Sequence, residues 1–464
     1  MKASLLVACS ALALISATAS AQMDQARISH AVDSIAAAEL SGGKAAGMSI
    51  AVVRARDTIV LRAYGKADLE LDVPTPDRAV YEIGSVTKQF TAAAILQLAE
   101  QGKLSLDDEI TKYFPAYPEH GHHITVRRLL DHTSGIPGYT EIPAFWPIST
   151  RSLPRDSLVA LFGAKPLDFA PGTAMSYSNS AFFLLGLLIE KVSGQSYERY
   201  VQQHLFQPAG MVDSRYCSTT AVVPRRAHGY DMKDDTLRLA MYIDMTWPYS
   251  AGSLCSTAGD LAAWNRALHT GTILSPGSYH EMITPGTLTD GTRLRYARGL
   301  AIDSLDGHRR ISHGGGIPGF VTTLQYFPDD SLTVVVLINS AGPASPDHVA
   351  RAIVDLMLGA NPPATMAFHG SPGDYTGTYS GMARGGTETF TIAVDSGSHA
   401  LVLHPKHGKA QPLAFYGGET FGHDEARLRF VRTAGRVSAV RVDEVYGYNF
   451  YKRAPVVASR SGSP

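Results

Sequence analysis

The chain has 464 residues, 41 Lys+Arg against 42 Asp+Glu, and 45% hydrophobic with 18% charged residues. Such a composition excludes a disordered, collagen-like or disulfide-scaffold protein, and the length predicts more than one domain. A net charge of −1 offers no basic surplus for nucleic acid or an anionic membrane surface.

Residues 1–21 read as a secretory signal peptide. Lys2 starts it, an apolar run follows from Leu5 to Ile15, and Ala19-Ser20-Ala21 offers a small-residue cleavage site before Gln22. The run is too short to span a bilayer, so no integral membrane span is expected. Leu6-Val7-Ala8-Cys9 leaves a lipoprotein box open as a rival reading. Export, to the periplasm or beyond, would permit disulfides. Whether Cys217 and Cys255 pair is open; Cys255 reads as a buried small hydrophobe.

Ser49–Val53 and Thr58–Leu61 read as strands around the charged turn Arg54–Asp57. A helix is predicted from about Ser85 to Gln101, with Phe90, Ala94, Ile95 and Leu98 on one face and Gly102 as its stop. A second helix, from about Ser180 to Val192, is apolar nearly all round and should be buried. Val321–Phe327 and Leu332–Ile338 read as strands again, and residues 346–358 as a helix. Strands at both ends of a helical middle predict an α+β fold: one antiparallel sheet flanked by helices, carrying an all-helical lobe.

Asn361-Pro362-Pro363 marks a boundary. The expected division is a hydrolase domain over 22–362, a β domain over 363–455 and a flexible tail over 456–464. Tyr375–Tyr379, Phe390–Val394, Ala400–Leu403, Leu428–Val431 and Val437–Val442 predict a C-terminal antiparallel, barrel-like meander.

Three segments carry chemistry. Gly84-Ser85-Val86-Thr87-Lys88 puts a hydroxyl and an amine three residues apart at a helix start, where they share a face. A serine is a weak nucleophile until a base takes its proton. A lysine of pKa about 10.4 costs about 4–5 kcal/mol to neutralise at pH 7 unless its surroundings lower that value. The pair alone also fits a capping serine beside a solvated lysine. Tyr177-Ser178-Asn179 offers a phenol and an amide on one side if extended, or a tyrosine beside a helix cap. His313-Gly314-Gly315-Gly316, before a strand, lets backbone approach a substrate, or forms a flexible turn.

Ser85-x-x-Lys88, Tyr177-x-Asn179 and His313-Gly314-Gly315, in this order, resemble the three motifs of class C β-lactamases and related penicillin-recognising serine hydrolases. Leu129–Gly135 and Gly252–Thr257 match in character, and the resemblance spans about residues 40–358. It implies an α+β sheet domain with a helical lobe and the site between them. It implies Ser85 as the acylated nucleophile, Lys88 as its proton partner and Tyr177 as the second base or relay. Asn179 would position substrate, and the N–H groups of Ser85 and Gly316 would form an oxyanion hole, with Gly315 and His313 in the substrate-binding wall. No metal or organic cofactor is implied, and the partner expected is a small-molecule or peptide substrate.

Where many relatives have lysine, this chain has His313, as in D-aminopeptidases and esterase-like members; the site is not expected to anchor a free carboxylate. The C-terminal meander, opening at Gly373–Tyr379, resembles the lipocalin-like appendage of some members. The expected activity is cleavage of amide or ester bonds through a Ser85 acyl-enzyme, on peptide-like substrates of the D-aminopeptidase or D,D-peptidase kind. A β-lactamase, a carboxylesterase and a non-catalytic penicillin-binding sensor are the alternatives. His120-Gly121-His122-His123 lacks the company of a metal site and reads as a surface loop. His132 is expected to support its loop, and His228-Gly229-Tyr230 is a candidate for the cleft wall.

Overall fold

A computed structural model describes residues 25–454 apart from 384, 385, 407 and 425. The expected leader and the tail at 456–464 lie outside the described residues. Residues 25–40 form helix α1. β1 (Gly47–Arg54) and β2 (Asp57–Asp68) pair antiparallel around the expected turn, and β3 (Val73–Pro74) follows.

The chain then enters helix α2 (Thr87–Glu100) through one 3-10 turn, Gly84–Val86, so Ser85 sits just before the helix rather than in it. Gly84 makes that turn possible: its φ is +50°, and a Cβ there would lie 2.9 Å from the Gly316 nitrogen. The two-residue strand β4 (Met175–Ser176) leads into helix α3 (Asn179–Ser193). Its cap is Ser178, whose hydroxyl accepts from the Ala181 N–H at 3.2 Å, and Gly194 ends it in the left-handed region. The all-round apolar pattern of α3 follows from its place in the middle of the helical lobe, where Phe182, Leu185 and Ile189 are fully buried. Helix α4 (Ala258–His269) closes that lobe against the sheet.

β5 (Ala301–Leu305), β6 (His308–Ile317), β7 (Phe320–Phe327) and β8 (Leu332–Ile338) return to the first hairpin. The seven-stranded sheet has the order β5-β6-β7-β8-β1-β2-β3, so the two ends of the segment build one antiparallel sheet around the helical insert, as predicted. β8 explains its unbroken apolar run: both of its faces are covered. Val334, Val336 and Ile338 pack with Ile50 and Val52 under α1 and helix α5 (Pro346–Leu358), while Val335 and Leu337 face the core shared with Leu261 and Trp264 of α4.

Cys217 and Cys255 form a disulfide between the short strands Arg215–Tyr216 and Leu254–Ser256, with Cα atoms 5.1 Å apart. Sequence had left this pairing open.

The C-terminal meander is longer than predicted. It runs through β9 (Gly377–Ala383), β10 (Gly386–Val394), β11 (Leu401–Pro405), β12 (Gln411–Pro412), β13 (Ala414–Gly417), β14 (Thr420–His423), β15 (Ala426–Thr433), β16 (Arg436–Glu444) and β17 (Gly447–Arg453). Each strand pairs antiparallel with the next except β12 and β13, which flank Leu413, and β17 pairs back to β9. The result is a nearly closed barrel. Tyr375 belongs to a 3-10 turn before it, and β12 to β14 and β17 were not foreseen, because Gly and polar residues interrupt their alternation. The barrel interior is filled with rings: Phe421 lies 5.0 to 5.7 Å from Phe368, Tyr375, Phe415 and Phe430. Among the described residues no helix is long and apolar enough to cross a membrane.

Candidate active site

The start of α2, the start of α3 and the end of β6 meet in a cleft of about 830 Å³, lined by Ser85, Tyr177, Asn179, His313, Gly314 and Gly316 among others. Lys88, the second residue of α2, is fully buried beneath it. Its Nζ donates to Ser85 Oγ at 3.0 Å, to Asn179 Oδ1 at 2.8 Å and to the Ala251 carbonyl at 2.8 Å. It also stands 4.7 Å from the centre of the Tyr177 ring. Residues 85, 88, 177 and 179 are thus brought together. The agent is a strand-to-helix junction at Ser178 rather than an extended triplet, because Asn179 is already the first residue of α3.

This arrangement fits two protonation states of the lysine. As an ammonium, Nζ spends its three protons on three acceptors. As an amine it keeps two protons for the Asn179 and Ala251 oxygens, and the lone pair faces Ser85 along the 3.0 Å contact. Asn179 is itself held, its Nδ2 donating to Thr140 Oγ1 at 3.1 Å.

His313 to Gly316 form part of β6, not a turn. They pair with Leu324 to Val321 of β7 on one side. On the other side β5 reaches only Ser312, which leaves the edge of residues 313–317 open to the cleft. Gly315 is required by packing: a Cβ there would collide with the Ile83 carbonyl and Thr322 Oγ1. Gly316 has no such neighbour, so its backbone stands exposed beside Ser85. The N–H of Ser85 lies in the first turn of a helical segment, where intrahelical acceptors are lacking. An oxygen between these two N–H groups would be held by both.

His313 is buried, with both ring nitrogens engaged: Nε2 pairs with the Tyr296 hydroxyl at 2.9 Å and Nδ1 with the Gly314 carbonyl at 2.6 Å. The carbonyl can only accept, so Nδ1 carries the proton and Nε2 accepts from Tyr296. Burial, and then the charge of Lys88, push its pKa down to about 3, against the opposing hydrogen bond to Gly314. The imidazole is neutral at pH 7 and has no free nitrogen for a substrate carboxylate.

His132 packs behind the site. Its Nδ1 accepts from the Ser178 N–H at 3.1 Å, and its ring lies 4.3 Å from Tyr177. His120, His122 and His123 stand on an exposed loop, where His123 meets Glu109 at 2.9 Å. His228 and Gly229 do not line the cleft; they line a separate depression with Glu82 and Phe320. Asp231, one residue beyond Tyr230, does reach the cleft.

Sequence reasoning missed Thr140, Tyr296, the Ala251 carbonyl and Tyr446. Ala251 directly precedes the matching Gly252–Thr257 run, which was the available signal. Thr140, Tyr296 and Tyr446 had none, because each acts through a contact made only in the fold.

The Beta-lactamase family profile matches residues 28–358. The chain is 30% identical over 289 residues to the Bacillus subtilis penicillin-binding protein PbpX, covering 62% of this chain and 69% of that protein. It is 29% identical over 320 residues to a Brucella anthropi D-aminopeptidase, covering 68% of this chain and 60% of the relative. The chain therefore spans about two thirds or less of the length of these curated relatives. It also resembles the octameric penicillin-binding protein homologue from Pyrococcus abyssi, with a TM-score of 0.63 and 26% identity, over 91% of this chain and 99% of that one.

Proposed function

Because the chain belongs to the Beta-lactamase family and is a serine hydrolase of that family, we propose that it cleaves amide bonds next to a free amine through a Ser85 acyl-enzyme, in the manner of a D-aminopeptidase. The observation that carries this reading is Lys88 Nζ, set 3.0 Å from Ser85 Oγ with two carbonyl oxygens to hold it as the neutral amine that takes the serine proton.

In the forward step Ser85 Oγ attacks the substrate carbonyl carbon while its proton passes to Lys88 Nζ. The carbonyl oxygen, now anionic, takes the N–H groups of Ser85 and Gly316. The proton then moves to the departing nitrogen, the C–N bond breaks, and an ester remains on Ser85. Water attacks the ester with its proton taken by the Lys88–Tyr177 pair, and the acid leaves as Ser85 regains its hydrogen.

Substrate polarity follows from the lining. Glu141 and Asp231 are acidic, His313 is neutral, and Phe145, Trp146, Ile243 and Pro248 are apolar. Such a wall favours a cationic amine on an apolar residue over a carboxylate. The D-aminopeptidase relative supports the same choice. D,D-peptidase, β-lactamase and ester chemistry are the competing substrates for the same nucleophile. Export is part of the proposal and rests on residues 1–21.

Purified protein should be assayed with D- and L-amino acid anilides, short nitrophenyl esters and a chromogenic cephalosporin, with mass spectrometry for an adduct on Ser85. Turnover of D-anilides above the other classes is expected. A cephalosporin preference would overturn the amine reading, and a burst without turnover would reassign the protein as an acylated sensor.

A further inference from the structure

The barrel places one side chain in the cleft. β16 and β17 form a hairpin closed by the Glu444–Gly447 pair, with Val445 and Tyr446 at its tip. Tyr446 lines the cleft. Its hydroxyl accepts from the Gly314 N–H at 3.0 Å, and its ring lies 5.4 Å from both Tyr177 and His313.

The hairpin is anchored on several sides. Gly447 and Tyr448 pair with Ser176 and Met175 of β4, the residues that lead into Tyr177. Arg295 holds Asp443 at 3.0 Å, and Arg441 holds Asp290 at 3.0 Å. Met175, Leu288, Leu294, Tyr296 and Tyr448 form a small apolar core between them. Tyr446 is therefore fixed from both sides of the junction.

Strand geometry gives this position a meaning. Along β6 alternate N–H groups point to the same edge, so Gly314 and Gly316 present theirs to the open side that β5 does not cover. Gly316 stands beside Ser85, whereas the N–H of Gly314, two residues back, is already taken by a phenol. A Cβ on Gly314 would lie 3.6 Å from that phenol oxygen, an ordinary contact distance, so the phenol sits directly against this strand position. An extended substrate adding itself to the β6 edge gains backbone hydrogen bonds for each free strand position. Here that edge stops one step from the reacting carbonyl.

We propose that Tyr446 is a specificity-determining residue, supplied by the barrel, that ends the open edge of β6 and restricts the enzyme to substrates that are short on that side of the scissile bond. This deepens the reading of the site as an amine-end hydrolase and rests on it for the choice of substrate. The barrel is then a wall of the active site.

The test uses the full chain and Tyr446→Ala and Tyr446→Leu, the second retaining apolar packing at the junction should the first fail to fold. Two series are read, D-amino acid anilides lengthened by one to three residues at the amine end and amides lengthened by one to three residues at the leaving group. The expected result is that, in one series, the ratio of kcat/KM for the longest to the shortest substrate rises at least tenfold over wild type. A ratio within twofold of wild type in both series overturns the proposal. If wild-type protein turns over none of these substrates, the amine-end reading fails separately. The length question is then read from Ser85 labelling rates by a small and a long-tailed fluorophosphonate. A tenfold relative gain for the long probe supports the edge-stop role, and no relative gain removes it.

Discussion

The cleft and the barrel interior are built from opposite materials. Around Ser85 buried polar groups are held by polar partners, as with Lys88 among three oxygens and His313 between Tyr296 and Gly314. Inside the barrel Phe368, Phe415, Phe421 and Phe430 meet mainly one another and Tyr375. A buried polar site tolerates little displacement, because an unmade hydrogen bond there costs more than a made one contributes. An aromatic core tolerates small shifts but not lost volume. The hairpin at Tyr446 is where the second kind of region is set to touch the first.

The contrast breaks most visibly at the lysine. Lys88→Met should lower kcat by about 10³-fold or more while leaving the fold intact, checked by steady-state kinetics beside a thermal melt. Retained turnover would mean that Ser85 is activated by something else. Phe421→Ala, in the barrel, should cost about 3–5 kcal/mol of stability in denaturant unfolding. If the barrel serves only as a separate appendage, that variant will unfold in a step that leaves Ser85 labelling unaffected; coupled loss of both signals is expected.

Removing the Cys217–Cys255 link by the double substitution Cys217→Ala with Cys255→Ala should destabilise the chain by about 2–4 kcal/mol. It frees a loop spanning 38 residues that reaches the strand beside Ala251, and urea denaturation measures the loss. A smaller effect belongs to pH. His313 is held neutral, with its folded pKa near about 3 against about 6.5 when unfolded, so between those values the unfolded chain binds the extra proton. Its contribution to stability is present above about pH 6.5 and falls as pH drops, by at most about 1.4 kcal/mol per pH unit. The unfolding free energy of wild type should fall more steeply than that of His313→Asn from pH 7 to 4.5; parallel curves would reject the buried neutral imidazole. The smallest change is expected for Tyr296→Phe, about 1 kcal/mol, since it removes one hydrogen bond to His313.

Much of the sheet was legible in the chain itself. The apolar runs of β1 and β2 around their charged turn, the unbroken run of β8, the glycine stop at Gly102 and the position of α3 are local patterns, each written in consecutive residues. Ser85 and Lys88 were readable for the same reason: one helical turn fixes their distance. The residues Tyr177, Asn179 and His313 could be named from their motifs. Their convergence could not, because it depends on β4, α3 and β6 being carried to one place by strands and helices far apart in sequence.

Local order, the spacing of Ser85 and Lys88 and the α+β layout were thus determined by the sequence, since propensity and periodicity act over a few residues. The tertiary structure alone decided that His313 is a spent, neutral ring, that Ala251 lends a carbonyl to Lys88 and that Tyr446 reaches Gly314 across 132 residues. Those contacts arise where burial forces polar groups to find partners, and the partner that is near in space need not be near in the chain.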